Sequence, residues 1–415
     1  MIKLRIIKNF SLFLISFLFL FTPIIPFLEG SFFDYTFLLL SILIWIITIF
    51  NRKEFSKVQF LILIYFLIST IQLFSSIFVD VSFFISALPI YFRINAILMI
   101  FDLVLLRIIK NKNSTNKNLS YFLLYPFILI SLLFPLWAIT NSLLGVSWRM
   151  GFPLYSNTLG QLGVDPHVFG PAMACASICL TYIFFNLEDY YKEKNKLLFR
   201  VLLVVGIISC ISAALFCGSR GGILILLAFS ISYFSSVFLK NIKNNNFIFN
   251  FKTRIKKSKL LVLSVFSIFF IISLNFISNA SDKLSSLIVR TFSILPVLTG
   301  ADPSRSTQLK QIKEVLSSSY NDLFSRDYIF PNADVGPKFF IYNQGLILFL
   351  LFIVIYVYLY LILMRLNSFS ASIFIAGLLL LFFASATLLI PRFYVIYFYS
   401  LTILASRDKF RQIPK

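Results

Sequence analysis

The sequence predicts an all-α fold, a polytopic membrane protein of about 12 transmembrane helices with one long external loop containing an amphipathic helix. Three observations predict it. Of the 415 residues, 59% are hydrophobic and only 13% charged, at a mean hydropathy of +0.91. A water-soluble chain of this size carries about 25% charged residues, so a soluble protein is excluded. Phe, with 52 copies, runs together with Ile, Leu and Val in stretches of about 20, which is what a hydrocarbon core requires at about 1.5 Å rise per residue. The net charge of +21 is gathered on alternate connections, as the positive-inside rule demands. The wealth of Phe, Ile, Asn and Lys also fits an AT-rich coding bias, so no single Phe is assigned a role.

Taken in order from the basic start (Lys3, Arg5, Lys8), the spans fall near residues 10–28, 33–50, 58–78, 84–106, 120–140, 167–187, 200–217, 222–239, 260–277, 341–363, 370–390 and 393–406. Both termini then face the cytoplasm. Most Lys and Arg lie on that side and most Asp and Glu on the other, so topology absorbs the excess charge and no nucleic-acid partner is implied. The densest block holds Lys240, Lys243, Lys252, Arg254, Lys256, Lys257 and Lys259, a solvated orientation signal beside anionic lipid. The first apolar run follows a basic segment, as in a signal peptide, but is too long and lacks a small-residue cleavage site, so it reads as the first span. No repeat or Gly/Pro-rich boundary divides the chain. Residues 1–415 read as one integral membrane domain.

Cys175, Cys179, Cys210 and Cys217 all lie in predicted spans, which leaves neither a disulfide framework nor a zinc ribbon. Cys175 and Cys179 share a helix face without a His, Asp or Glu in register, and packing is the simpler reading.

Two external connections are long, 141–166 and 278–340, and long connections are where water-soluble substrate groups are met. The second contains a helix of its own: Asp302 as N-cap, Pro303 at the first position, then an apolar stripe of Leu309, Ile312, Val315 and Leu316. Such a helix lies in the interface, covering a cavity or simply capping the bundle.

An Arg at the centre of a span costs about 2.5–3.5 kcal/mol on insertion scales. Arg93, in LPIYFRINAILMIF, has no acidic neighbour in sequence and follows Pro89, which is expected to break the helix there. Arg220 lies in GSRGG, where small residues admit either a ligand or, through Gly218 and Gly222, a tightly packed helix. Arg149, Arg290, Arg305 and Arg392 complete the arginines of the external side. Guanidinium forks match phosphate oxygens in two-point geometry, so this set favours a diphosphate partner over scattered loop charges.

The single histidine, His167, follows Asp165 and Pro166, a cap and first position that set it in the first turn of a helix. The positive end of the helix dipole there lowers its pKa and leaves a neutral imidazole able to accept a proton; an interfacial His without a role is the alternative. Asp302, Asp327 and Asp334 are the acids near the proposed arginines.

With these features in order, the chain resembles the O-antigen polymerase and O-antigen ligase superfamily of bacterial envelope glycosyltransferases. The resemblance covers most of the chain through short motifs: WRMGFPLYSN with Arg149, LFCGSRGGILILL around Arg220, spaced arginines Arg290 and Arg305 in the long loop, and ADVGPKFFIYNQGLILFL with Asp334. It implies a bacterial inner-membrane enzyme that moves a glycan from undecaprenyl diphosphate onto the next lipid-linked repeat unit, or, for a ligase, onto lipid A-core.

Ligases of the superfamily carry a His eleven positions before a Gly. Here Asp334 stands eleven positions before Gly345 and Val335 follows it, which favours the polymerase branch. An Arg-x10-Gly spacing known among polymerases fits Arg149 to Gly160, while Arg290 to Gly300 misses it by one. Under this resemblance Arg220, Arg290 and Arg305, with Arg149 and Arg93 as lesser members, bind the diphosphate, and His167 or Asp334 is the base. The implied partners are the undecaprenyl diphosphate-linked oligosaccharide, membrane lipid and, as a further candidate, a chain-length regulator. No cofactor and no metal is expected, because the carrier diphosphate is already a good leaving group and no external acidic pair has the spacing for a divalent ion. A lipid-linked oligosaccharide flippase is the alternative of another class, but it calls for pseudo-symmetric halves, and the 278–340 loop has no counterpart in the first half.

Overall fold

The computed structural model describes scattered positions of 10–17 and residues 31–51, 56–78, 81–110, 120–143, 154–156, 160–162, 166–191, 196–216, 220–243, 336–366, 368–383 and 391–406. The helices are α1 (Ser31–Phe50), α2 (Lys57–Ser75), α3 (Val81–Lys110), α4 (Tyr125–Leu143), α5 (Pro166–Phe185), the single turn α6 (Leu187–Tyr190), α7 (Lys196–Phe216), α8 (Arg220–Lys243), α9 (Gly336–Leu366), α10 (Ser368–Phe383) and α11 (Pro391–Ala405). A π-turn, Ser120–Leu124, leads into α4, and a 3-10 turn, Ser76–Phe78, closes α2. A small hairpin, β1 (Leu154–Ser156) with β2 (Gly160–Leu162), stands in the 141–166 connection and pairs antiparallel with Leu154 opposite Leu162. The sequence pattern does not announce it.

Helices lie on the predicted segments from 33–50 to 222–239 and from 341–363 to 393–406. Four described helical stretches are long and apolar enough to cross a membrane, Lys57–Ser75, Ser120–Thr140, Lys196–Leu215 and Gln344–Arg365; shorter apolar helical stretches such as Phe169–Phe185 accompany them. The spans proposed at 260–277, and that at 10–28 for most of its length, fall outside the described residues, as does the amphipathic helix from Asp302. One expectation is corrected. Helix α3 continues through Pro89. Pro removes one N–H donor from a helix that its neighbours on both sides already hold in place, and membrane helices tolerate that loss.

The helices are apolar on both faces, as lipid permits. In α1, Leu38, Ile42, Trp45 and Ile49 are buried at helical spacing while Leu39, Leu40, Leu43, Ile44 and Ile47 remain exposed. Helix α3 is instead surrounded: Ile94 to Met99 are buried without interruption, so the bundle closes round it at that depth. Its Phe101 packs edge-on against Phe374 of α10 (4.6 Å between ring centroids), Tyr356 of α9 (5.9 Å) and Tyr397 and Phe398 of α11 (6.0 and 4.3 Å). Tyr356 and Tyr397 both donate to the Phe374 carbonyl, at 2.8 and 2.9 Å, locking the last three helices together.

Candidate functional site at one end of the bundle

Side-chain contacts fix which helix ends lie together. A Cβ built on Gly222, the third residue of α8, would meet the carbonyl oxygens of Ala214 (3.0 Å) and Gly170 (3.1 Å). The start of α5, the close of α7 and the start of α8 are therefore at one end. Helix α10 begins at the far side: Phe369 packs against Tyr182 (4.4 Å) and Phe229 (4.8 Å), well down α5 and α8. Helix α9, joined to α10 by one residue, then begins at the α5/α8 end. Short connections make antiparallel neighbours, and the chain between Phe383 and Pro391 returns α11 to the same end.

Helix α3 is tied to α2 in antiparallel register by Thr70 with Tyr91 (2.7 Å), Ser69 with Asn95 (3.1 Å) and Gln59 with Asp102 (3.1 Å). It runs parallel to α9, because Gln344 bonds Tyr65 and Gln72, the residues bracketing Ser69, while Tyr356 reaches Phe101 farther along both helices. Val81 thus also belongs to the α5/α8 end.

This arrangement gathers several of the candidate residues. His167 is the second residue of α5, after Pro166 at the first position as the sequence pattern requires. Arg220 opens α8 and Arg392 is the second residue of α11. Three helix N-termini, each with a positive dipole end, are collected with a cation or imidazole in the first turn, the arrangement that suits an anion. Arg149, Arg290, Arg305 and Asp334 lie outside the described residues.

Arg93 is deeper. Eight residues, about 12 Å of helix, separate it from Phe101, and Phe101 touches Tyr397 and Phe398 of the parallel α11. Counting back the same distance puts Arg93 level with the start of α11. It is half-buried, one position toward that end from the fully buried stretch Ile94–Met99, and its Nε is buried with no hydrogen-bond partner. At 3.6 residues per turn it stands about half a turn round α3 from Tyr91 and Asn95, away from the α2 contact.

On the α2 side the layer is neutral and internally bonded. Asn95 Nδ2 donates to Ser69 Oγ (3.1 Å) and to the Tyr91 carbonyl (3.0 Å), and Tyr65 Oη donates to the Gln344 side chain. Gln72 Nε2 donates to the Gln344 carbonyl at 3.1 Å, next to Gly345, where φ 79 and ψ 163 break α9 into two helical pieces. Broken helices are tolerated at membrane depth only where protein or a cavity accepts the released backbone groups.

Sequence reasoning does not find Asp102. It is 3% exposed, and its Oδ2 accepts from Trp45 Nε1 (2.9 Å) and Gln59 Nε2 (3.1 Å). The signal available is an acid in an otherwise apolar run, FDLVLL. Because it lies toward the other end of α3, it positions α1 and α2 rather than joining the arginine group.

The cysteines pack. Cys175, Cys179 and Cys210 are buried, with Cys210 Sγ donating to the Ser131 carbonyl (3.1 Å) and Cys179 Sγ directed at that of Ser400 (3.7 Å). Cys217 lies outside the described residues. The close approach at Gly222 likewise gives the second half of the GxxxG a packing role, whatever Arg220 binds. Comparison with protein-family models, with curated proteins and with solved structures gave no match.

Proposed function

We propose that the chain is a surface-polysaccharide polymerase of the O-antigen type, acting at the external face of the bacterial inner membrane. The observation that supports it is the gathering of the His167, Arg220 and Arg392 helix starts at one end of an apolar bundle, the end from which the long 278–340 connection enters α9. In this reading that end is external and both termini are cytoplasmic.

The reaction is a glycosyl transfer. A hydroxyl oxygen of the acceptor sugar attacks the anomeric carbon of the donor glycan, the bond from that carbon to the carrier diphosphate breaks, and the diphosphate leaves with the electron pair. The hydroxyl proton passes to a base, His167 or Asp334. Arg220, Arg290 and Arg305, supported by Arg149, stabilise the charge that develops on the leaving diphosphate, and Arg93 also serves substrate diphosphate binding. No metal is required in this scheme. Activity of the purified enzyme that vanished on chelation and returned with magnesium or manganese would overturn that part.

The test is complementation in a host that makes and flips the matching lipid-linked repeat but lacks its polymerase. Wild type is expected to restore a polysaccharide ladder. Arg220→Ala and Arg305→Ala, at matched membrane expression, are expected to reduce it to a single capped repeat. A single repeat from wild type, with flipping and ligation intact, would sink the polymerase reading. Loss of even that repeat on deleting the native gene would favour ligase or flippase.

A further inference from the structure

Two features of Arg93 set it apart from the other arginines. It belongs to the α1–α2–α3 side of the bundle, whereas His167 and Arg220 belong to α5 and α8. Helix α11 packs against both sides, against α3 through Tyr397 and Phe398 and against α5 near Ser400. At 8–10 Å per helix pair, the α3 and α5 axes, both packed on α11, lie at most about 20 Å apart. The second feature is the buried Arg93 Nε with no partner. A guanidinium held partly out of water keeps a large desolvation cost unless an anion meets it.

The chemistry under Proposed function, on which this inference rests, needs two anion sites. The donor loses its carrier diphosphate, but the acceptor is itself attached to a carrier whose diphosphate undergoes no bond change and still has to be held at the same face. We infer that Arg93 binds the diphosphate of the acceptor lipid, on the α3 flank of α11, while the Arg220 flank binds that of the donor. Helical side chains lean toward the N-terminus of their helix, so the Arg93 guanidinium is carried about one turn farther toward the end where His167 and Arg220 lie. Ser82, exposed and three turns nearer that end, stands on the same face of α3. The path from that end to Arg93 therefore opens on a polar position.

The test counts lipids on the full-length protein by native mass spectrometry, with undecaprenyl diphosphate, phosphatidylglycerol or inorganic pyrophosphate as probe. Wild type is expected to carry two undecaprenyl diphosphates, and Arg93→Gln and Arg220→Gln one each. Arg93→Lys, which keeps the charge and guards against a folding defect, is expected to retain the second lipid more weakly. In the polymerisation assay Arg93→Gln is expected to raise the acceptor KM about ten- to a hundredfold, the worth of a charge-assisted contact, with the donor KM unchanged.

Two bound lipids in Arg93→Gln, or one in wild type that persists in Arg93→Gln, would overturn the inference and leave the polymerase reading standing. No undecaprenyl diphosphate on wild type would overturn both. Equal retention of phosphatidylglycerol at the Arg93-dependent position would make it a site for bulk lipid, and pyrophosphate bound as tightly as the lipid would make it one for free diphosphate. Either result also overturns the inference.

Discussion

The side-chain amide of Gln72 donates to the backbone carbonyl of Gln344 at 3.1 Å, one residue before α9 leaves helical geometry at Gly345. In an unbroken helix that carbonyl accepts from the N–H four residues on. Here the Gln72 amide of α2 supplies a donor to it. Gly345→Ala places a Cβ on a backbone at φ 79, which costs about 1–3 kcal/mol, and Gln72→Leu leaves a buried carbonyl without this donor at a similar cost. Both variants are expected to melt earlier in detergent. Their double mutant should lose less than the sum, because both act on one break. Strict additivity in thermal unfolding would show that the two are independent.

Asp102 joins three helices through one oxygen, and the identity of its replacement decides the outcome. Asp102→Asn keeps an acceptor for Trp45 and Gln59 and is expected to cost less than about 1 kcal/mol, in line with hydrogen bonds inside membrane bundles. Asp102→Leu leaves an indole N–H and an amide without this partner in the bundle interior, so about 2–4 kcal/mol is expected. The check is the fraction that remains monodisperse in size-exclusion chromatography after a heating series. Equal behaviour of the two variants would show that the carboxylate does not clasp the three helices.

Helix placement is readable in the sequence because one variable, the length of an apolar run, controls it. The predicted 33–50 is α1 at Ser31–Phe50, and 222–239 is α8 at Arg220–Lys243. Pro166 marks the start of α5 because a first-turn N–H has no helical partner to lose. The break at Gly345 is not readable. A Gly in an apolar run is equally at home in a straight helix, and the distinction is made by Gln72, 272 residues away in the pairing. Asp102 is hidden for the same reason, since its partners come from α1 and α2. Of the candidate site, the helix starts at His167 and Arg220 are legible. That Arg93 lies level with the start of α11 follows from the ring contacts of Phe101, which no spacing encodes.

Gly377 makes room for the hydroxyl of Tyr397. A Cβ at this position would meet Tyr397 Oη and, at 2.7 Å, Cζ, in a core where Tyr397 is fully buried. Gly377→Ala therefore pushes Tyr397 away from the Phe374 carbonyl, and overpacking of this kind costs about 1–3 kcal/mol. Removing the hydroxyl with Tyr397→Phe relieves the nearest clash but not that with the ring. Partial rescue is therefore expected in the double mutant. Thermal stability measured over the cycle checks this, and a Gly377→Ala protein as stable as wild type would refute the contact.

Gly222 and Arg220 are two residues apart and are expected to fail in different ways. At Gly222 the obstacle to a side chain is backbone on both sides, the carbonyls of Ala214 and Gly170, so neither neighbour can rotate aside. Gly222→Leu is expected to separate α8 from α5 and α7 and to lower the yield of folded protein. Arg220, at the first position of α8, serves the diphosphate rather than the packing if the chain is a polymerase. Arg220→Gln is expected to keep wild-type yield and melting temperature while the polysaccharide ladder collapses. Measuring expression, melting and ladder length together separates the two. If Arg220→Gln lost stability in step with activity, the arginine would be part of the helix packing, and the case for a diphosphate at this end would rest on the remaining arginines.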